Sequence, residues 1–241
     1  TGSGGATAPG KPYDRWHAFW GSQKGSYRPS SSGRERMESF RKMPIEEFIG
    51  KLAASTPTPG GGTAAAVAGA MAAALLSMVA SISLKRSPEE GTLREARDRS
   101  ERLRESLLDL ADRDSAAYEK VVEAYRLPKD TEEEKRLRKA RIQEALKEAA
   151  EVPLRTAELA LEVLVLAKGI KGKVRRSVLS DLLVAVRLAH AAVHAALYNV
   201  DVNLTSMEDK EAGKELRERR VTLEQRTEEV LRELLASGGP K

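Results

Sequence analysis

Hydrophobic positions recur at helical spacing through most of residues 43–236. In the stretch 87–127, for example, Leu93, Leu103 and Leu110 fall on one face of a helix of period 3.6. Ala, Leu, Glu and Arg, all strong helix formers, are abundant in this part of the chain. We find no sustained alternation of period two, which strands would show. The pattern therefore predicts an all-α bundle of about six to seven helices.

Prolines, glycines and acidic first turns mark the predicted helix boundaries. The predicted helices begin at about Pro44, Thr63, Pro88, Asp130, Glu151, Arg176 and Met207. Pro153 falls inside an apolar pattern, and we expect it to kink or split the helix there, because proline lacks the N–H of an i→i−4 hydrogen bond. The helix from Met207 to Ala236 is highly charged, and we expect it on the outside.

One predicted helix, Thr63–Leu84, carries no charged side chain, although 32% of the chain is charged. Its 22 residues would span roughly 33 Å, enough to cross a bilayer. Its Ala, Gly and Ser content gives only a weak drive into lipid, so we do not expect a membrane span. A helix that is apolar all round is otherwise buried on every side. We therefore expect close packing against neighbouring helices, with part of the surface in a homodimer interface.

The segment Pro59-Gly60-Gly61-Gly62-Thr63 leads into this helix. The first N–H groups of a helix are unpaired and carry partial positive charge, and glycine lets a ligand approach the backbone closely. These features predict a cradle for an anion or a carbonyl oxygen. The segment lacks the Gly-Lys-Ser/Thr ending of a P-loop. The alternative is a plain helix start with Thr63 as its cap.

Charge and aromatic residues divide the chain at about residue 36. Residues 1–36 hold six Lys or Arg against two acids, and the whole chain has a net charge of +5. We expect this part to be a disordered basic and aromatic extension, and residues 37–241 to form one helical domain. Nucleic-acid binding is expected only through the extension, if at all. The absence of cysteine excludes disulfides and thiolate metal sites and fits a cytoplasmic protein.

Several segments together resemble the cyclodeaminase/cyclohydrolase family. That family includes the C-terminal domain of formiminotransferase-cyclodeaminase and stand-alone methenyltetrahydrofolate cyclohydrolases. The matching segments, which extend the resemblance over about residues 43–236, are Pro57–Ala66, Asp114–Tyr118, Ala124–Lys129, Ala149–Leu154, Ser180-Asp181 and Asn199–Leu204. The chain departs from the family pattern at Ser177, where an Asn is expected, and at His190 and His194, where acidic or small residues are expected.

The resemblance implies a homodimeric enzyme that acts on the one-carbon unit bridging N5 and N10 of a tetrahydrofolate derivative. It implies folate as substrate and no metal or redox cofactor. We favour a formimidoyltetrahydrofolate cyclodeaminase, which releases ammonia. The alternatives are a methenyltetrahydrofolate cyclohydrolase and a non-catalytic folate-binding or structural helical dimer.

Either reaction needs one group to accept a proton and another to donate one. Asp114 and Asp181 are the candidate catalytic residues, because both lie in matching motifs and a buried aspartate has a raised pKa. The alternatives are a surface acid paired with Arg113 or Lys120 for Asp114, and a helix cap for Asp181. The candidate substrate-binding residues are Pro59, Gly60, Gly61, Gly62, Thr63, Ser180, Asn199 and Asn203.

Two pairs of residues spaced i, i+4 extend these predictions. Asn199 and Asn203 share one helix face and are the only asparagines of the chain, so they could grip an amide or pterin edge. The alternative for this pair is a hydrogen bond between helices. His190 and His194 could bind zinc, but no acid lies between them as in HExxH and the only other histidine is His17, so no metal site is predicted. We expect these histidines to be buried or to face a partner.

Overall fold

The computed structural model describes residues 39–208, 211 and 213–236, and the predicted extension lies outside them. The described residues form six α-helices and two 3-10 turns, Phe40–Lys42 and Arg176–Val178, with no strand. The helices are α1 (Ile45–Leu52), α2 (Gly61–Leu84), α3 (Gly91–Arg126), α4 (Glu132–Ile170), α5 (Leu179–Ser206) and α6 (Lys214–Ala236). The all-α class and the number of helices are as predicted.

Helix α2 is the centre of the bundle and packs against α3, α4 and α5. It runs antiparallel to α5, because its start lies beside Asn199 and its middle, at Gly69, lies beside Ala192. A Cβ on Gly69 would also approach Leu107 of α3 to 3.2 Å, so small residues set the spacing of these helices. The charged helix α6 covers α4 and α5 from outside, as expected.

The uncharged helix α2 is buried on several sides. Ala66, Ala72 and Leu76 are fully buried. By length and composition, α2 and the segment 176–206 would both pass as membrane spans, but the central helix of a bundle passes the same test. Met71 and Met78 of α2 are 49% and 38% exposed, so the described residues leave one side of the helix uncovered.

Helix α2 begins two residues before the predicted start. Gly60 is its N-cap, and Thr63 is the third residue inside the helix rather than the cap. The start of α4 carries a capping box, in which Thr131 and Glu134 bond each other's backbone N–H groups. Because local capping chemistry fixes these ends, the predicted boundaries lie within a few residues of most observed ones.

Of the expected kink or split at Pro153, the split is wrong. Helix α4 runs without interruption from Glu132 to Ile170 with Pro153 buried inside it, so two predicted helices are one. Proline removes the N–H that would bond to the carbonyl oxygen of Ala149, four residues earlier. The side-chain amide of Asn203 on α5 donates to that same oxygen at 2.8 Å. A neighbouring helix therefore satisfies the acceptor that proline leaves free.

We predict that Asn203→Leu destabilises the protein by about 1–3 kcal/mol, because it leaves the Ala149 carbonyl buried without a donor. The double-mutant cycle with Pro153→Ala tests the cause. In the Pro153→Ala background the helix regains its own N–H donor, so the cost of Asn203→Leu should fall. Chemical denaturation of the four proteins gives the coupling energy. Equal costs in both backgrounds would contradict the explanation.

Candidate active site

Asp114 lies in the middle of α3 and meets the start of α2. The hydroxyl of Thr63 donates to Asp114 Oδ2 at 2.8 Å, and the backbone N–H of Thr63 also bonds this carboxylate. The buried hydroxyl of Ser115 lies 3.4 Å from the Thr63 hydroxyl. Ser115 was not among the predicted site residues, although it directly follows Asp114 in the matching motif. The carboxylate is therefore held by the first turn of α2.

Gly62 makes room for this carboxylate. A Cβ added at Gly62 would lie 2.1 Å from Asp114 Oδ1, a distance that non-bonded atoms do not tolerate. None of the described glycines has a positive φ, so Gly62 is required here for space and not for an unusual backbone conformation. The predicted cradle at the start of α2 thus holds a carboxylate of the chain itself.

Two opposing effects set the protonation of Asp114. Burial raises the pKa of this carboxyl above its ordinary value, and the two hydrogen bonds from Thr63 lower it by a smaller amount. The positive end of α2 also favours the ionised form. Asp114 is thus a carboxyl with a raised pKa whose orientation is fixed, as general acid–base catalysis requires.

Lys120, which the sequence offered as an alternative partner of Asp114, pairs with a different carboxylate. Lys120 forms an ion pair with Glu148 at 2.7 Å and lines a cleft of about 370 Å³ between α3 and α4. None of the predicted site residues lines that cleft. Asp114 is therefore not a surface acid paired with Lys120.

The structure brings Asn199 to the same end of the bundle. Its amide would lie 3.4 Å from a Cβ at Gly61, and its Nδ2 donates to the carbonyl oxygen of Ala195 within α5. Pro59, which precedes the glycines, is buried. Asn203 lies one turn further along α5. Its Nδ2 donates to two backbone carbonyl oxygens, those of Ala149 and Asn199. The bond to Ala149 joins two helices, which is the alternative stated for this pair.

Ser180 and Asp181 lie at the other end of α5, in its first turn. Eighteen residues of helix separate Asp181 from Asn199, which is about 27 Å along the axis at 1.5 Å per residue. Within one chain, Asp181 therefore does not share a site with Asp114. The predicted site divides into a group around Asp114 and a distant pair, Ser180-Asp181.

The fold and the Asp114 group define a helical protein with a buried, positioned carboxyl. Residues 44–222 match the formiminotransferase-cyclodeaminase family, and the chain belongs to this family. A methenyltetrahydrofolate cyclohydrolase of Methylorubrum extorquens is 44% identical over 174 residues, which cover 71% of this chain and 84% of that protein.

Longer relatives and a solved structure extend the comparison. Formimidoyltransferase-cyclodeaminase of Sus scrofa is 33% identical over 191 residues, and this chain spans only 34% of its length. The crystal structure of formiminotetrahydrofolate cyclodeaminase from Thermotoga maritima superposes with a TM-score of 0.72 at 31% identity. That match covers 80% of this chain and 94% of the Thermotoga chain.

We predict that Gly62→Ala destabilises the protein by about 1–3 kcal/mol, because the added methyl group displaces the Asp114 carboxylate. Gly61→Ala is the matched control, since its Cβ makes only ordinary contact with Asn199. Gly50→Ala, where nothing lies within 4 Å, should be neutral or stabilising because alanine favours helix. Thermal unfolding of the three variants checks the order. Equal effects at positions 61 and 62 would contradict it.

Proposed function

We propose that this protein is an enzyme that acts on a carbon–nitrogen bond of the one-carbon bridge between N5 and N10 of a tetrahydrofolate derivative. One observation carries the proposal: the largely buried carboxyl of Asp114, with its raised pKa, is held by Thr63 at the start of α2. The names of the relatives support the substrate class, since both reactions that they name concern a one-carbon unit on tetrahydrofolate.

In the cyclohydrolase reaction, water adds to the methenyl carbon of the cationic 5,10-methenyl compound and loses a proton. The tetrahedral carbon then bears N5, N10 and a hydroxyl. The bond from that carbon to N5 breaks, the hydroxyl proton is lost as the formyl C=O forms, and N5 gains a proton. The product is the 10-formyl compound. Ionised Asp114 would accept the proton of water, and the resulting acid would donate to N5.

In the cyclodeaminase reaction, N10 attacks the carbon of the protonated formimino group (–CH=NH2+) on N5 and loses its proton. The tetrahedral carbon then bears N5, N10 and an amino group. Protonation of that amino group lets ammonia leave, and the methenyl cation remains. The same carboxyl can take the proton from N10 and deliver it to the departing nitrogen. Both reactions pass through similar tetrahedral carbons, so one site geometry serves either.

Different observations favour the two reactions. The 44% identity and the 84% coverage of the Methylorubrum protein favour the cyclohydrolase. The Thermotoga structure and the motif resemblance favour the cyclodeaminase. The ultraviolet absorbance of 5,10-methenyltetrahydrofolate separates them. Its formation from 5-formiminotetrahydrofolate with ammonia release establishes the cyclodeaminase, and its enzyme-dependent loss alone establishes the cyclohydrolase. No enzyme-dependent absorbance change in either assay would reject the proposed function.

We predict that Asp114→Asn lowers kcat by about 10²–10⁴-fold in the assay in which the wild type is active. The substitution removes the proton acceptor but keeps an oxygen that can accept the hydrogen bonds from Thr63. Glu119→Gln, another carboxylate on α3 outside the site, is the matched control and should retain activity. Circular dichroism confirms that both variants are folded. An active Asp114→Asn protein would remove Asp114 from the catalytic role.

The difference in stability between this variant and the wild type should depend on pH. Because the folded-state pKa of Asp114 is raised, the stability that its protonated form contributes is lost as pH rises through that pKa. Asn mimics the protonated form and avoids this loss. We therefore predict that the Tm of Asp114→Asn, relative to that of the wild type, increases from acidic to neutral pH. A difference that is constant with pH would contradict the raised pKa.

We further propose that a second copy of the chain supplies the Ser180-Asp181 pair to the Asp114 site. Apolar side chains are exposed on the antiparallel helices α2 and α5, including Met71 and, at 67%, Tyr198. If the exposed sides of α2 and α5 pack against a second copy about a two-fold axis perpendicular to the helices, the Asp181 end of one copy lies beside the Asp114 end of the other. In this arrangement Ser180 and Asp181 are candidate site residues of the second copy's Asp114 site.

Mixing two inactive variants tests this arrangement. If each site combines Asp114 of one copy with Asp181 of the other, refolding Asp114→Asn with Asp181→Asn should restore about a quarter of wild-type activity, because half of the dimers have one intact site of two. Light scattering on the wild type should give a dimer. A monomer, an active Asp181→Asn protein, or a mixture without recovered activity would reject the shared site.

A further inference from the structure

His190 and His194 lie one turn apart on α5 and face Glu228 on α6. Glu228 Oε1 lies 2.9 Å from His190 Nε2 and 2.8 Å from His194 Nε2. The imidazole rings are 4.5 Å apart between centroids. The two histidines stand where the resemblance predicts acidic or small residues. The cluster shares no contact with Asp114, whose described partners lie at the start of α2.

The three side chains satisfy the geometric needs of a transition-metal ion. One ligand atom from each side chain can be chosen so that all three lie within 4.8 Å of one another. Tetrahedral zinc with bonds of about 2.0–2.1 Å holds neighbouring ligand atoms about 3.3 Å apart. The observed separations of 2.8 and 2.9 Å need only a small outward rotation of the Glu228 side chain, which is 47% exposed.

We propose that His190, His194 and Glu228 bind a divalent transition metal, with Zn²⁺ as the expected ion, and that the metal links α5 to α6. Two neutral imidazoles and one carboxylate are a ligand set suited to zinc. Each histidine side chain is 25% exposed, so an ion can enter from solvent and water can take the fourth position. The sequence alone did not reveal the third ligand, because Glu228 is 34 residues from His194.

The metal site would act on stability rather than on folate chemistry. Helix α6 is highly charged and lies on the outside of the bundle against α4 and α5. A ligand that binds the folded state alone stabilises it, and here the ligand would cross-link α6 to α5. Chelation should therefore lower the Tm of the zinc-loaded protein.

Titration of the full chain with Zn²⁺ by calorimetry, and with Co²⁺ by visible absorption, tests the proposal. We expect one ion per chain and the intense absorption of tetrahedral Co²⁺. His190→Ala, His194→Ala and Glu228→Gln should each weaken binding by about tenfold or more. Glu229→Gln is the matched control, since Glu229 is the next acid on α6 and pairs with Arg226. Its affinity should stay within about twofold of wild type, well below a tenfold change.

Three results would overturn the proposal. One is no saturable Zn²⁺ binding up to about 100 µM, which corresponds to an affinity too weak for a built site. Another is binding that persists in the His190→Ala/His194→Ala double variant. The third is a Tm that zinc raises equally in the wild type and the double variant. In each case the cluster would be a hydrogen-bonded contact between α5 and α6 only.

Discussion

The contact between the Asp114 carboxylate and the first turn of α2 sets the conditions that the surrounding structure meets. A carboxylate removed from water is costly unless hydrogen bonds replace its hydration. Thr63 supplies a hydroxyl and a backbone N–H, and the helix start adds a favourable dipole. These partners reach Asp114 only because position 62 has no side chain. Gly62 and Thr63 of α2 and Asp114 of α3 therefore depend on one another for this contact.

The composition of α2 follows from the same close approach. If α3 brings a carboxylate against the backbone of α2 at Gly62, the axes of the two helices must be near each other along the following turns. Gly69 meets Leu107 at such a spacing, and alanines at positions 66, 72 and 73 are fully buried. A charged or large side chain on this face would separate the helices. The uncharged run is thus explained by packing within a bundle, and its resemblance to a membrane span is a consequence of the same burial.

Sequence reasoning succeeded where the determining forces are local and failed where they act between helices. Periodicity and capping residues predicted the class and most boundaries. The predicted split at Pro153 was wrong because the rule for proline considers one helix, whereas Asn203 of another helix supplies the missing donor. The motif resemblance selected Asp114 and Gly62, but their contact joins residues 52 positions apart and has no signature in spacing. The length of α5 likewise separates Asp181 from Asn199. The order of the motifs along the sequence does not show this distance.

This separation has a consequence for how the site works. A single carboxyl with a raised pKa can accept a proton and return it, so under the proposed function Asp114 alone would suffice to pass one proton from the attacking group to the leaving nitrogen. A second carboxyl is needed only if the two transfers occur on opposite sides of the tetrahedral carbon. In this fold Asp181 cannot be that second group within one chain, because α5 presents Asn199 to the site and holds Asp181 at its other end. If Asp181 is the second carboxyl, it comes from a second copy, and catalysis by the two aspartates then requires dimerisation.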